Sequence, residues 1–138
     1  SIKTTSFNLG VINMNTNANY IRKDIYSIEA VLSKITRKGE PRKVDFDGDL
    51  INMDSQRYEL FEAKGIACVS CGIEGKFFAK EKDIASYGYH FNLYAVKDGE
   101  DVLMTKDHII PKSKGGKNEL SNYQTMCTYC NNEKADKY

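Results

Sequence analysis

Two pairs of cysteines constrain the fold of this chain more than any other feature of the sequence. Each pair has the spacing C-x-x-C, and the four residues Cys68, Cys71, Cys127 and Cys130 are all the cysteines in the 138 residues. A C-x-x-C turn places two thiolates side by side, and two such turns supply the four ligands of a tetrahedral zinc site. Redox-active or merely buried thiols are the alternative. We expect a structural Zn²⁺, because four protein ligands leave no coordination position open for water.

The sequence also limits the class of protein. It shows neither a secretion-signal pattern nor an apolar run of about 18 residues, so we expect a reducing cytoplasm, no disulfides and no membrane partner. A hydrophobic fraction of 41% is enough for one domain with a modest core. The formal charge of +1 excludes a global basic field, so any contact with nucleic acid must come from local patches.

Upstream of the first cysteine pair, the pattern predicts a loop followed by helices. Residues 1–18 are rich in Asn, Thr and Ser and are expected to form a flexible arm. From Asn19 to Lys38, isoleucines, a valine and a leucine recur at spacings of three and four, which predicts an amphipathic helix. Residues 45–51 read as a short extended stretch with a turn, and a second helix is expected over about residues 54–65, with Asp54 or Ser55 as its cap.

Between the cysteine pairs the pattern changes to the two-residue period of strands. Tyr87–Val96 and Asp101–Ile110 are β-prone runs joined by an Asp-Gly turn, which predicts a hairpin. Cysteine pairs in zinc ribbons are typically separated by about 15–20 residues, so we interpret the hairpin as an insertion between the two cysteine turns. Pro111 should end the second strand, because proline cannot donate to the ladder. A polar loop, a short extended segment at residues 123–126 and a helix from Thr128 complete the chain.

These elements predict an α+β protein with two regions. Residues 1–65 would form an N-terminal arm and helical region that contacts the substrate. Residues 66–138 would form the core that contains the zinc site. One isolated histidine, His90, falls in the first strand of the hairpin, and we interpret it as a surface or hairpin residue.

An acid, a histidine and two asparagines lie close together around the second cysteine pair. The segment reads Asp107-His108-Ile109-Ile110-Pro111, then Gly115-Gly116, Asn122, and finally Cys127-x-x-Cys130-Asn131-x-x-Lys134. This pattern resembles the motif of the HNH, or ββα-metal, nucleases, in their zinc-containing branch. The resemblance covers the C-terminal third closely and includes Cys68 and Cys71 as the other zinc pair. The third letter of the motif is asparagine here, which makes the chain an H-N-N variant.

The resemblance implies a role for each residue of the motif. His108 would be the general base that deprotonates the attacking water, and Asp107 would be a ligand of the catalytic metal ion. Asn122 would brace the loop that orients the histidine, and Asn131 would complete the metal site. Residue chemistry agrees, since a histidine titrates near neutral pH. The oxygen ligands favour Mg²⁺ or Mn²⁺ over zinc. One difficulty is that adjacent residues on a regular strand, here Asp107 and His108, point to opposite faces.

Two groups of basic residues are candidates for contact with nucleic acid, although ordinary solvated charge is the simpler interpretation of each. The first lies on the Gly-Gly loop and the second around Gly39 and Pro41, and Lys134 is a further candidate: Lys112, Lys114, Lys117; Arg37, Lys38, Arg42, Lys43.

Together these features predict a metal-dependent endonuclease that cuts or nicks DNA, with nucleic acid, most naturally double-stranded DNA, as its partner. Two other functions remain open at this stage. One is a non-catalytic zinc module that binds nucleic acid, and the other is a ribonuclease with the same site. The oligomeric state cannot be read from the sequence, and a dimer is compatible with it.

Overall fold

A five-stranded antiparallel sheet organises the part of the chain that the computed structural model describes, residues 20–85 and 88–135. The strands are β1 (Tyr20–Tyr26), β2 (Lys43–Phe46), β3 (Asp49–Asn52), β4 (Phe77–Asp83), β5 (His90–Lys97), β6 (Glu100–His108) and β7 (Tyr123–Cys127). The sheet has the order β1-β4-β5-β6-β7, and β2 and β3 form a separate hairpin. The helices are α1 (Ile28–Leu32), α2 (Gln56–Lys64) and α3 (Thr128–Ala135), with short 3₁₀ turns at Lys112–Lys114 and Leu120–Asn122.

The main hydrophobic core contains the inward side chains of β4 and β5, α2 and the β2–β3 hairpin. Phe91 of β5 is fully buried. Its ring makes edge-on contacts with four other aromatic rings, with centroid distances between 4.7 and 6.4 Å: Tyr26, Phe46, Tyr58 and Phe78. Edge-to-face packing of this kind is favourable beyond the area that it buries. The core therefore joins the N-terminal elements to the strands that lead into the second cysteine pair.

The prediction of a helix from Asn19 to Lys38 is wrong. Residues 20–26 form strand β1, and only Ile28–Leu32 is helical, with the Ser27 hydroxyl accepting a hydrogen bond from the Ala30 amide at its start. The helical spacing of the isoleucines was misleading, since Ile21 is 45% exposed. Strand pairing overrides the local pattern because β4 and β6 provide charged partners for the polar residues of β1.

Arg22 shows how those partners hold β1 in the sheet. It is buried and forms ion pairs of 2.9 Å with Glu81 of β4 and Asp101 of β6. Its guanidinium also lies 4.8 Å from the centre of the Tyr94 ring. Removing one member of such a group would leave a buried charge without its partner, at a cost of several kcal/mol.

Strand β4 has no counterpart among the sequence predictions, since its last four residues read Lys80-Glu81-Lys82-Asp83. Lys80 is nevertheless fully buried, and its ammonium lies 2.8 Å from Asp49 and donates to the Phe46 carbonyl at 2.9 Å. Charged residues therefore occupy buried positions of a strand inside the sheet, where hydrophobic residues would normally be expected.

Several other sequence predictions are confirmed. The extended stretch at residues 45–51 forms the β2–β3 hairpin. The second helix starts after Ser55, whose hydroxyl accepts a hydrogen bond from the Arg57 amide, and ends at Gly65. The Asp98-Gly99 turn connects β5 to β6, and β7 and α3 lie where they were expected. The flexible arm at residues 1–18, the start of the hairpin strand at Tyr87 and the last three residues lie outside the described residues.

Strand β6 changes partner along its length. Its first half, from Glu100 to Leu103, pairs with β5, whereas its second half, from Met104 to His108, pairs with β7. Beyond this point β5 and β6 separate, and the Arg57 guanidinium of α2 donates to the Phe91 carbonyl of β5 at 2.7 Å. The separation places the end of β6 beside α3. No helix in the described residues is long and apolar enough to span a membrane.

Candidate active site and metal centre

The four cysteines lie together. Cys68 and Cys71 come from the turn after α2, Cys127 ends β7, and Cys130 lies in the first turn of α3. Their sulfur atoms all lie within 4.8 Å of one another, and the Sγ atoms of Cys71 and Cys127 are 3.8 Å apart. A tetrahedron with zinc–sulfur distances of about 2.3 Å separates its sulfurs by about 3.8 Å. The cluster can therefore hold a metal ion, and its donor set suits zinc.

Backbone hydrogen bonds hold the first cysteine turn in place. The Cys68 amide donates to the Ile73 carbonyl and the Gly72 amide donates back to Cys68, both at 2.9 Å. Gly72 has a φ of +82°, in the left-handed region that favours glycine. The Val69 amide donates to Thr125 of β7 at 3.0 Å, which connects the turn to the strand that carries Cys127.

The thiols of the cluster have different tendencies to ionise. Burial raises the pKa of Cys127 to about 12. Burial also opposes ionisation of Cys68, but the backbone N–H groups of Cys71, Cys127 and Ser70 outweigh it and lower the pKa of Cys68 to about 6. Because only thiolates are metal ligands, an ion that binds the cluster must displace the protons that remain on it, that of Cys127 among them.

A cavity of about 440 Å³ lies where β6 ends beside α3. Its lining includes most of the predicted active-site residues together with a lysine that was not predicted: Lys106, Asp107, His108, Lys112, Asn131 and Lys134. Asp107 and His108 both line it although they are neighbours on one strand. The cavity lies at the end of the strand, where the chain turns into the loop, so residues from both sides of the strand reach it.

Asn122 lies outside this cavity and bonds to the loop that follows His108. Its side-chain oxygen accepts from the Ile110 amide at 2.9 Å, and its nitrogen donates to the carbonyls of Ile110 and Lys117 at 3.1 and 2.9 Å. The backbone of the loop is tight as well, because a Cβ on Gly116 would lie 1.7 Å from the Ile110 carbonyl oxygen. These contacts fix the backbone immediately after His108.

The His108 ring has two neighbours. Its Nε2 atom lies 2.8 Å from the side-chain oxygen of Asn118, and its ring meets Tyr123 edge-on at 5.1 Å. An amide oxygen can only accept a hydrogen bond, so Nε2 carries the proton and Nδ1 is left as the basic nitrogen. Sequence reasoning did not identify Asn118, which lies in a polar loop where one asparagine cannot be distinguished from another.

A chain of hydrogen bonds orients the Asn131 amide. The Thr105 hydroxyl donates to the Met126 carbonyl at 2.8 Å. Its oxygen is therefore an acceptor for the Asn131 side-chain nitrogen, which lies 2.9 Å away. This arrangement leaves the Asn131 oxygen available as a ligand. Sequence reasoning also missed Thr105, although it lies only two residues before Asp107.

The hydrogen bonds to the Asp107 carboxylate within the described residues all go to one of its two oxygens. Its Oδ2 atom lies 2.6 Å from the Lys134 ammonium and accepts from Gln124 at 2.9 Å. Lys134 also donates to the His108 carbonyl at 2.5 Å. No hydrogen bond to Oδ1 comes from the described part of the chain. Asp107 and Asn131 thus offer two oxygen donors, which fits a hard divalent ion.

The predicted basic groups differ in their relation to this cavity. Lys112 lines it, whereas Lys114 and Lys117 are exposed on the loop beyond it. The group around Gly39 does not line it, and two of its four members pair with acids, Arg37 with Glu62 at 3.1 Å and Arg42 with Asp54 at 3.5 Å.

Comparison with known protein families gives a match over the C-terminal third of the chain. A family model described as HNH endonuclease matches residues 95–138, the segment that contains the Asp-His pair, both asparagines and the second cysteine pair. No curated protein and no solved structure matches the chain. The match supports the HNH family and a nuclease-type function. The mixed α/β architecture with its four-cysteine cluster fits an HNH fold.

Replacing Cys127 by serine should remove the bound metal and destabilise the protein. Structural zinc sites contribute about 10–16 kcal/mol of apparent free energy in zinc-finger peptides, comparable to the total stability of about 5–15 kcal/mol of a typical domain. We expect about one zinc per chain in the wild type by elemental analysis. The variant should have none, and its circular dichroism should show a much lower melting temperature.

Ser70→Ala is a matched control, because the Ser70 side chain contacts Cys130 but supplies no thiolate. It should keep the metal. A Cys127→Ser protein that melts like the wild type would show that the cluster does not hold a structural ion.

Proposed function

We propose that this protein is a metal-dependent endonuclease that hydrolyses phosphodiester bonds in DNA. The observation that carries the proposal is the single cavity lined by His108, Asp107 and Asn131 at the end of β6. A base, two oxygen ligands and a cationic wall around one space are what phosphodiester hydrolysis requires. The family match over residues 95–138 supports the same conclusion.

In this mechanism His108 accepts the proton of the attacking water at Nδ1, while Asn118 holds the proton on Nε2. The water oxygen forms a bond to phosphorus as the bond to the leaving oxygen breaks. Asp107 and Asn131 would hold Mg²⁺ or Mn²⁺, which supplies charge neutralisation at the phosphate and the leaving oxygen. Lys112 adds positive charge to the wall of the cavity. Asn122 keeps the loop backbone, and with it the imidazole, in position.

The cysteine cluster has a separate role in this proposal. With four thiolate ligands, a bound Zn²⁺ is structural and takes no part in hydrolysis. Strands β6 and β7 with helix α3 would form the ββα-metal core, with the β5–β6 hairpin inserted between the two cysteine turns. Free thiols at these positions suit a reducing compartment such as the cytoplasm.

The proposal predicts that His108→Ala abolishes cleavage and leaves the fold intact. General-base catalysis typically contributes about 10²–10⁴-fold to a rate. The measurement is a time course on plasmid, linear duplex, branched DNA and RNA with Mg²⁺ or Mn²⁺, with zinc content and melting temperature taken on the same samples. Wild-type turnover in the variant would remove His108 from the mechanism. Binding without cleavage by the wild type would indicate a non-catalytic module, and preferential cleavage of RNA would indicate a ribonuclease.

Thr105 is predicted to act as a positioning residue for Asn131. Thr105→Val removes the hydroxyl that orients the amide, while Thr105→Ser retains it. One hydrogen bond is worth about 0.5–1.5 kcal/mol, so the valine variant should bind Mn²⁺ roughly two- to tenfold more weakly by calorimetry, and the serine variant should bind nearly as the wild type does. A purely structural role of Thr105 predicts a lower melting temperature with an unchanged Mn²⁺ affinity.

Lys134 is predicted to compete with the divalent ion for Asp107, because its ammonium lies 2.6 Å from Oδ2. Lys134→Met should tighten Mn²⁺ binding, by about tenfold for a repulsion of roughly 1–2 kcal/mol at an intermediate dielectric. Without metal, the same variant should melt below the wild type, since Asp107 loses its cation. Added Mn²⁺ should then raise its melting temperature more than that of the wild type. Weaker Mn²⁺ binding by Lys134→Met would contradict this competition.

A further inference from the structure

A second cavity of about 520 Å³ lies where β5 and β6 separate, and we call it the strand-split cavity. Its polar lining comes from four elements of the fold: Tyr20, Arg57, His90, Asn92, Thr105 and Lys106. Lys106 lines both this cavity and the active-site cavity, so the two adjoin through one side chain. Asp107, the proposed metal ligand, is the next residue along β6.

The lysine and the arginine that line the strand-split cavity both have uncharged hydrogen-bond partners. Arg57 donates to the Phe91 carbonyl at 2.7 Å and to the Asn92 side-chain oxygen at 3.1 Å. The Lys106 ammonium lies 3.5 Å from Gln56 Oε1 and 4.3 Å from the centre of the Tyr123 ring. Within residues 20–85 and 88–135, neither cation forms an ion pair with a carboxylate.

Three other cations in the described residues that are withdrawn from solvent are paired with carboxylates. Arg22 pairs with Glu81, Lys80 with Asp49, and Lys134 with Asp107. Arg57 and Lys106 are also partly buried, but they lack such a carboxylate. The lining of the strand-split cavity therefore carries two cations and no carboxylate.

His90 of the cavity responds to one of these cations. Burial lowers the pKa of His90, and Arg57 adds to the effect, although Glu81 and Asp83 act in the opposite direction. An anion placed between Arg57 and Lys106 would relieve the repulsion between these two cations, which line the same cavity.

We propose that the strand-split cavity is a phosphate subsite in which Arg57 and Lys106 bind the nucleic-acid backbone next to the scissile phosphate. This proposal rests on the proposed nuclease function, because it states where the substrate backbone continues once it leaves the active-site cavity. A guanidinium and an ammonium around one space suit the oxygens of a phosphodiester. Arg57 lies on α2, outside residues 95–138, so the region upstream of the family match would supply part of the substrate site.

The test measures binding separately from cleavage. Lys106→Gln and Arg57→Gln are each made in the His108→Ala protein, and their binding to a labelled DNA duplex is followed by fluorescence anisotropy as salt is increased. Each phosphate contact contributes about 0.9 to the slope of log affinity against log salt concentration. Each variant should bind DNA more weakly at low salt, and its slope of log affinity against log salt should be smaller by about one. Between about 50 and about 200 mM salt, the variant should therefore lose roughly threefold less affinity than its parent.

Lys97→Gln is the charge-matched control, because Lys97 is exposed on β5 and lines neither cavity. It should leave the slope unchanged. The Lys106→Gln variant is decisive if Arg57→Gln loses its fold, since Arg57 also bonds to the backbone of β5 and the Lys106 side chain does not.

Two results separate this proposal from the proposed function. If the wild type cleaves DNA and Lys106→Gln binds with the slope of Lys97→Gln, the subsite is wrong and the nuclease assignment stands. If the wild type binds but cleaves no substrate, while Lys106→Gln and a folded Arg57→Gln each lose about one unit of slope, the two cations do bind the nucleic-acid backbone and the nuclease assignment is wrong.

Discussion

The pairing of β6 with β7 is the interaction on which the rest of the site depends. Its register aligns Met104 with Cys127 at one end and His108 with Tyr123 at the other. One short ladder therefore connects the cysteine cluster to the proposed general base. Lys106 lies on the part of β6 that pairs with β7 and no longer with β5, and it lines both cavities.

Buried charge has a second organising role. Arg22 and Lys80 bring carboxylates from β3, β4 and β6 into the interior, and one nitrogen of the Arg22 guanidinium remains buried without a hydrogen-bond partner in the described chain. Such groups contribute less to stability than apolar packing of the same volume would. They nevertheless specify which strands are neighbours, because a shift of register would leave these charges unpaired.

Local features of the sequence predicted the cysteine cluster, the β5–β6 turn and the segment from Asp107 to Asn131, because each depends on residue types at short, fixed spacings. Features that depend on distant residues were missed. The sequence of β1 predicted a helix, because the burial of Arg22 depends on its ion pairs with the distant residues Glu81 and Asp101. Strand β4 was not predicted, because some of its charged residues are buried in the fold and its sequence therefore lacks the usual hydrophobic pattern. Arg57 and Lys106 could not be connected, because α2 and β6 meet only in three dimensions.

Strand β7 also restricts where this protein can change in length. Side chains alternate between the faces of a strand, so one additional residue within Tyr123–Cys127 would turn either Cys127 away from the other thiols or Tyr123 away from the His108 ring. The Asp98-Gly99 turn lines neither the active-site cavity nor the strand-split cavity. We therefore expect that the protein tolerates insertions at that turn but not within the five residues of β7. The strand itself fixes the spacing between the cysteine cluster and the residues around His108.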